Sequence, residues 1–190
     1  MTIFLIAVHP RRECVKRIIL SVTTLMIPIM LISGIPGCGK TTFGTWLAQN
    51  RSYVHIDLEH DGLDRYGVRT EWERFFGEND LLPFIQALYA FQKPVVLDWG
   101  YPPCLWPRIA QLSSGGITPW WFEADRLAAR SAFLSRADLP VWAFDSQYAQ
   151  IAAAWNELAP LYEDRIVHVL AQDASFQPHE AIAHRILRAA

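Results

Sequence analysis

Cysteine is scarce in this chain. Cys14, Cys38 and Cys104 are widely spaced and form no Cys-x-x-Cys pair. A disulfide framework needs an even set at closer spacing, so none is expected, and a reducing, cytoplasmic setting fits this usage. A structural zinc site is not expected either, because no second Cys or His pair at ligand spacing joins His55 and His60. An excess of charge is also missing. The net charge is -2 and the basic residues are scattered, so no arm or stripe suggests a surface for double-stranded nucleic acid. Nor is there a long unbroken apolar run. Residues 1–8 and 18–32 are apolar around Arg11, Arg12, Lys16 and Arg17, but Ser21, Thr23, Thr24 and Pro28 interrupt the second run. It falls short of the roughly 20 residues a membrane-spanning helix needs.

The chain shows instead an alternation of short apolar runs with helical patterns. Its 190 residues suit one domain. Residues 1–25 are expected to be an N-terminal extension, with Met26 or Met30 as alternative starts, and residues 26–190 the folded domain. Strands are expected at 27–33, 53–57, 94–98, 117–122 and 165–170. Helices are expected at 41–49, from a capping box at 70–73, and at 81–92, 105–113, 125–136, 146–158 and 178–188, with Pro160 closing the penultimate one. Residues 58–66 are polar and read as a loop. Strands alternating with helices imply an α/β domain with a parallel sheet covered on both faces.

One segment carries specific chemistry. Gly34-Ile35-Pro36-Gly37-Cys38-Gly39-Lys40-Thr41 matches G-x-x-x-x-G-K-[ST] in full, after an apolar strand and before a helix. Glycines let the backbone curve until several N–H groups point inward, and the helix N-terminus adds a partial positive charge. The expected ligands are ATP and Mg²⁺. Gly34, Pro36, Gly37, Cys38, Gly39, Lys40, Thr41 and Thr42 are the expected nucleotide-binding set. Lys40 should reach the β- and γ-phosphates, and the Thr41 hydroxyl should meet Mg²⁺. Cys38 reads as an inert filler of the loop rather than a nucleophile.

Ligands of open parallel sheets bind at the carboxyl ends of the strands. Asp57 and Asp98 end the second and third strand candidates. Phosphoryl transfer needs an acid for the acceptor hydroxyl and an acid near the metal. Asp57 is assigned as the general base and Asp98 as the Mg²⁺ ligand or a substrate contact, or the two exchange roles; Glu59 and Asp61 are weaker bases. Trp99 and Tyr101 either wall a substrate pocket or belong to the core. Arg126 and Arg130, four residues apart on one helical face, and Arg136 beyond them are candidates to bind nucleotide and stabilise transferring phosphate, with Arg108 a weaker one. Their alternative is a solvated face paired with Glu123 and Asp125.

Residues 31–42, Asp57, Val95-Val96-Leu97-Asp98-Trp99-Gly100, Trp121-Phe122-Glu123-Ala124-Asp125-Arg126 and Phe144-Asp145-Ser146-Gln147-Tyr148 together resemble the small P-loop kinases of the zeta-toxin, polynucleotide-kinase and chloramphenicol-phosphotransferase type, often grouped with AAA-family ATPases. The resemblance implies a five-stranded parallel sheet of order 2-3-1-4-5. It also implies Asp57 as acceptor base and Arg126, Arg130 and Arg136 as lid arginines. The chain departs from that pattern after Asp57, where Asp61 and Arg65 only approximate the familiar Asp-x-x-Arg. The expected activity is ATP-dependent phosphorylation of a hydroxyl on a small-molecule or nucleotide-like substrate. The alternative is a regulatory ATPase or switch without such an acceptor. An Asn-Lys-x-Asp guanine-reading motif is absent, and the chain is too short for a hexameric ATPase with its extra helical domain.

Overall fold

The computed structural model describes residues 27–135, 140–170 and 175–188. Five strands, β1 (Ile29–Gly34), β2 (Val54–Asp57), β3 (Val95–Asp98), β4 (Thr118–Glu123) and β5 (Ile166–His168), form one sheet of order β2-β3-β1-β4-β5. Every pairing is parallel. This is the expected α/β architecture and strand order. β1 lies at the centre, and all six of its residues are buried, as a strand covered on both faces requires.

Among the described residues eight α-helices connect the strands and a ninth follows β5: α1 (Lys40–Arg51), α2 (Gly62–Arg65), α3 (Arg69–Glu78), α4 (Leu82–Ala90), α5 (Trp106–Ser114), α6 (Arg126–Leu134), α7 (Val141–Ala153), α8 (Trp155–Tyr162) and α9 (His179–Arg188). Parallel crossovers are right-handed, so the step from β1 to β2 and the steps from β2 onward toward β5 put their helices on opposite faces. The packing agrees: α1 contacts α9, and α5 contacts α8. The largest buried side chains come from both layers, with Phe43 of α1 against Phe122 of β4 and Trp121 of β4 against Tyr162 of α8.

Pro119 lies inside β4, where a missing N–H would normally break a ladder. Pairing with β5 begins only at Trp121, whose N–H bonds the Arg165 carbonyl. Amides alternate in direction along a strand, so position 119 would point its N–H to the same side, before β5 begins, and the proline costs no bond.

The structure corrects four local expectations. The stretch after Asp57 contains α2, one short turn docked against the end of β2. Thr70 does not cap a helix; α3 already begins at Arg69, its N-cap is Val68, and no side chain caps it. The expected helix at 146–158 is two helices, because the chain leaves helical geometry at Ala154 (φ -95°, ψ 8°). Pro160 lies inside the second of them. Its missing N–H leaves the carbonyl of Asn156, four residues back in the first turn, without that helical bond. The expected extension at residues 1–25 lies outside the described residues.

Gly62 matters for the placement of α2. A Cβ at this position would stand 2.4 Å from the Asp57 carbonyl oxygen and 2.5 Å from its nitrogen. Both are backbone atoms of β2, which cannot swing aside. Gly62→Ala should therefore destabilise the domain by about 2 kcal/mol, in the range for overpacking. Urea unfolding with an unchanged midpoint would refute this.

Candidate functional site

The phosphate loop joins the central strand to α1 with little freedom. Gly37 (φ +77°) and Gly39 (φ +88°) take left-handed backbone that favours glycine. A Cβ on Gly37 would also stand 2.1 Å from the Ala129 carbonyl oxygen and 3.0 Å from the Phe133 nitrogen. The backbone of α6 therefore rests directly on the loop. Gly39 is the N-cap of α1 and offers no side-chain cap, and the first turn holds no acid. The leading N–H groups of α1 are thus open to an anion.

Lys40 is 8% exposed. Its Nζ donates to the carbonyls of Gly34 and Ile35, each at 3.4 Å, and lies 4.0 Å from Cys38 Sγ. No carboxylate pairs with it among the described residues. A buried ammonium facing two carbonyl dipoles and a neutral thiol, with no carboxylate, is an arrangement that a bound anion would complete. Cys38 is buried, and that burial pushes its thiol pKa up against the opposing effect of Lys40. A neutral, enclosed thiol agrees with the inert reading of this residue.

Asp57 and Asp98 lie opposite each other in register on β2 and β3, and Asp98 also pairs with Ile32 of β1. The topology thus brings both acids to the carboxyl edge, as expected, but into different surroundings. Asp98 is 1% exposed and neither carboxylate oxygen has a hydrogen-bond partner among the described residues. Its nearest basic group is His55 Nε2, at 3.7 Å. An orphaned buried carboxylate suits a cation, and with the partly exposed Thr41 hydroxyl it fits the donor chemistry of Mg²⁺. Asp57 is already engaged. Its Oδ1 accepts the N–H groups of Glu59 and His60 at 2.9 and 3.2 Å, and its Oδ2 meets His60 Nδ1 at 2.9 Å. The hydrogen bond and charge of Asp57 raise the His60 pKa above the ordinary 6.5.

Three spaces adjoin the loop. A cavity of about 430 Å³ is bounded by the loop, by Glu59 and His60 after β2, by Gly100 to Pro103 after β3, and by α6 and α7. Thr41, Asp57, His55 and His60 border a neighbouring cleft of about 660 Å³. A third space, of about 330 Å³, runs over Gly39, Thr42 and Phe43 between Ala132 of α6 and Phe176 and Gln177 before α9. Among the described residues Glu59 is therefore the carboxylate that shares the first cavity with Gly34, Lys40 and Thr41, whereas Asp57 borders the second. Sequence reading ranked Glu59 low because nothing local distinguishes it. Its place depends on a bond from the Gly100 N–H to its Oε2, 2.8 Å long, between loops 41 residues apart.

The arginines lie together, but not against the loop. Asp125 caps α6 by accepting the N–H groups of Leu127 and Ala128. Arg126 and Arg130 both reach Asp145 of α7, at 3.0 and 3.4 Å, and hold its carboxyl below the usual carboxylate range. Arg126 also stacks on the Tyr148 ring at 4.9 Å. Their partner is thus Asp145 rather than Glu123 or Asp125. Arg136 lies outside the described residues. Arg108 ties α5 to α3 through Asn79 and the Phe76 carbonyl. Trp99 belongs to an aromatic cluster with Trp72 and Phe76, while Tyr101 does border the cavity, its hydroxyl bound to that of Tyr162 at 2.9 Å.

No protein-family model matches the chain. The UDP-GlcNAc:ribostamycin N-acetylglucosaminyltransferase of Streptomyces fradiae is 27% identical over 146 residues, covering 67% of this chain and 35% of that protein. The chain thus spans about a third of the length of this curated relative. The shikimate kinase of Bacteroides thetaiotaomicron has a similar structure (TM-score 0.53, 19% identity, 85% of this chain and 97% of that one). So does the shikimate kinase of Acinetobacter baumannii, solved in complex with shikimate (TM-score 0.53, 18% identity, 86% and 93%). The two structural likenesses show that the chain shares the fold of these shikimate kinases. They do not single out the zeta-toxin group. No helix of the described residues is long and apolar enough to cross a membrane.

The His60–Asp57 pair gives a pH prediction. A raised imidazole pKa means that the pair's contribution to stability is full below the unfolded value near 6.5 and fades as pH rises through the folded value. NMR titration should place the His60 midpoint above 6.5, and Asp57→Asn should bring it down. An unmoved midpoint would show that the pair does not form in solution.

Proposed function

We propose that the domain is an ATP-dependent kinase that transfers the γ-phosphate to a hydroxyl group of a small or nucleotide-like molecule. One observation carries this reading: a partly open cavity has Glu59, with an unspent carboxylate oxygen, on one wall and the phosphate loop on another. A switch that only hydrolyses nucleotide has no need of such a space.

In this reading the triphosphate lies on the loop, with Lys40 turned from the Gly34 and Ile35 carbonyls to the β- and γ-phosphates. The apolar space between Phe43, Ala132 and Phe176 suits the base. The Thr41 hydroxyl and Asp98, directly or through water, are the groups to hold Mg²⁺, which would neutralise phosphate charge when bound. The acceptor oxygen attacks the γ-phosphorus, the bond to the β–γ bridging oxygen breaks, and ADP leaves with that electron pair. The acceptor proton passes to Glu59. Asp57 was the base expected from sequence, but its oxygens are already engaged by His60 and two backbone amides. It acts here by fixing the loop that presents Glu59. Arg126 and Arg130 remain candidates for the phosphoryl charge, reached by exchanging Asp145 for phosphate. A soluble enzyme working on ATP in the cytoplasm is the setting this implies.

Lys40→Ala should weaken Mg-ATP binding by tenfold or more, since hydrogen bonds to charged groups are worth about 1.5–3 kcal/mol. Calorimetric titration reads this directly, and wild-type affinity in the variant would exclude the phosphate assignment. Glu59→Gln should keep nucleotide binding and lose transfer by about 10²-fold or more, the usual scale of general-base catalysis. If Asp57→Asn abolishes transfer while Glu59→Gln retains it, the proton acceptor is Asp57 instead.

A further inference from the structure

The cavity wall facing the phosphate loop has a definite chemical character. Glu59 contributes a carboxylate with Oε2 fixed by Gly100 and Oε1 left open. Gln147 and Gln150 come from α7, three residues apart and therefore on one helical face. Gln150 donates only weakly, to Ser146 Oγ at 3.3 Å, and Gln147 makes no hydrogen bond to another described residue. Tyr101, Phe133 and Ile151 add apolar surface. The Tyr101 hydroxyl is already hydrogen-bonded to that of Tyr162, and the residue adds its ring to the cavity wall.

The cationic side is equally limited. Among the described residues Lys40 is the only Lys or Arg on this cavity, and it belongs to the phosphate loop. His60 borders the cavity already paired with Asp57. Arg126 and Arg130 are held by Asp145 and do not border it. An acceptor with its own carboxylate or phosphate would place a second negative charge beside Glu59 without a cation to match, and such like-charge contacts are costly. Open amides, apolar ring-sized surface and one free carboxylate oxygen suit hydroxyls, C–H faces and ammonium groups instead. About 430 Å³ lies within the range of small-molecule sites.

With the phosphoryl donor on the loop, as the kinase reading has it, we propose that the acceptor is a polyhydroxylated ring, neutral or amino-bearing, with no carboxylate or phosphate of its own. Glu59 meets the reacting hydroxyl or an amine beside it, and Gln147 and Gln150 hold further hydroxyls.

The test is calorimetry on the full chain with Mg²⁺ and a non-hydrolysable ATP analogue. The probes are glucosamine and myo-inositol, set against glucuronate and glucose 6-phosphate. At least one neutral or amino probe should bind tenfold or more tightly than both anionic ones. Gln147→Ala should weaken it severalfold, and Glu59→Gln should remove any preference for the amine. Anionic probes binding as well as the others overturns the proposal, and so does a lack of binding by both neutral and amino probes. The nucleotide analogue is titrated first. Failure of that step together with a preserved polyol preference removes the kinase reading and leaves the acceptor class standing.

Discussion

The arrangement around Lys40 depends on a cation without a counter-ion. Its ammonium is almost wholly buried and faces two carbonyl oxygens, which are dipoles and not charges. Holding it there requires the backbone to turn its carbonyls and amides in opposite directions within a few residues, and Gly37 and Gly39 permit that turn. It also requires a rigid base, which the fully buried central strand supplies. The open N–H groups of α1 add to the same field. Such a loop favours negative charge, which Lys40 would meet by turning from its two carbonyls.

Around this fixed centre the rest of the site is joined by a few specific contacts. The Asp57 carboxylate orders the turn after β2, and Glu59 in that turn is clasped by the amide of Gly100 after β3. That bond joins two strand-end loops into one wall of the cavity. On the other side α6 lies with its Ala129 carbonyl where a side chain on Gly37 would be. A shift of α6 presses on the phosphate loop, and a shift of the loop presses on α6. The paired tyrosine hydroxyls extend the connection from the cavity floor to α8.

Much of this was legible in the chain order because it is local. The loop, the strand before it and the helix after it form one contiguous pattern, and Asp98 could be found by counting to the end of an apolar run. The strand order followed from a family resemblance that rested on the same runs. Contacts made by distant segments were not legible. Asp145 lies 15 and 19 residues from the arginines it binds, and Glu123 and Asp125 looked closer. Asp57 and Glu59 are two residues apart and chemically alike, and only the Gly100 contact shows which one turns to the cavity. Thr70 carried a capping pattern, yet Arg69 already lies inside the helix, ion-paired to both Asp64 and Glu73.

The cluster on α6 and α7 holds two guanidinium groups and a single carboxylate. The Asp125 carboxylate that caps α6 beside Arg126 brings its formal sum to zero. Balanced charge fades steeply beyond roughly 8 Å at physiological ionic strength, so the cluster acts on what it touches. It is a latch: the helix that rests on the loop is tied to the helix that lines the cavity.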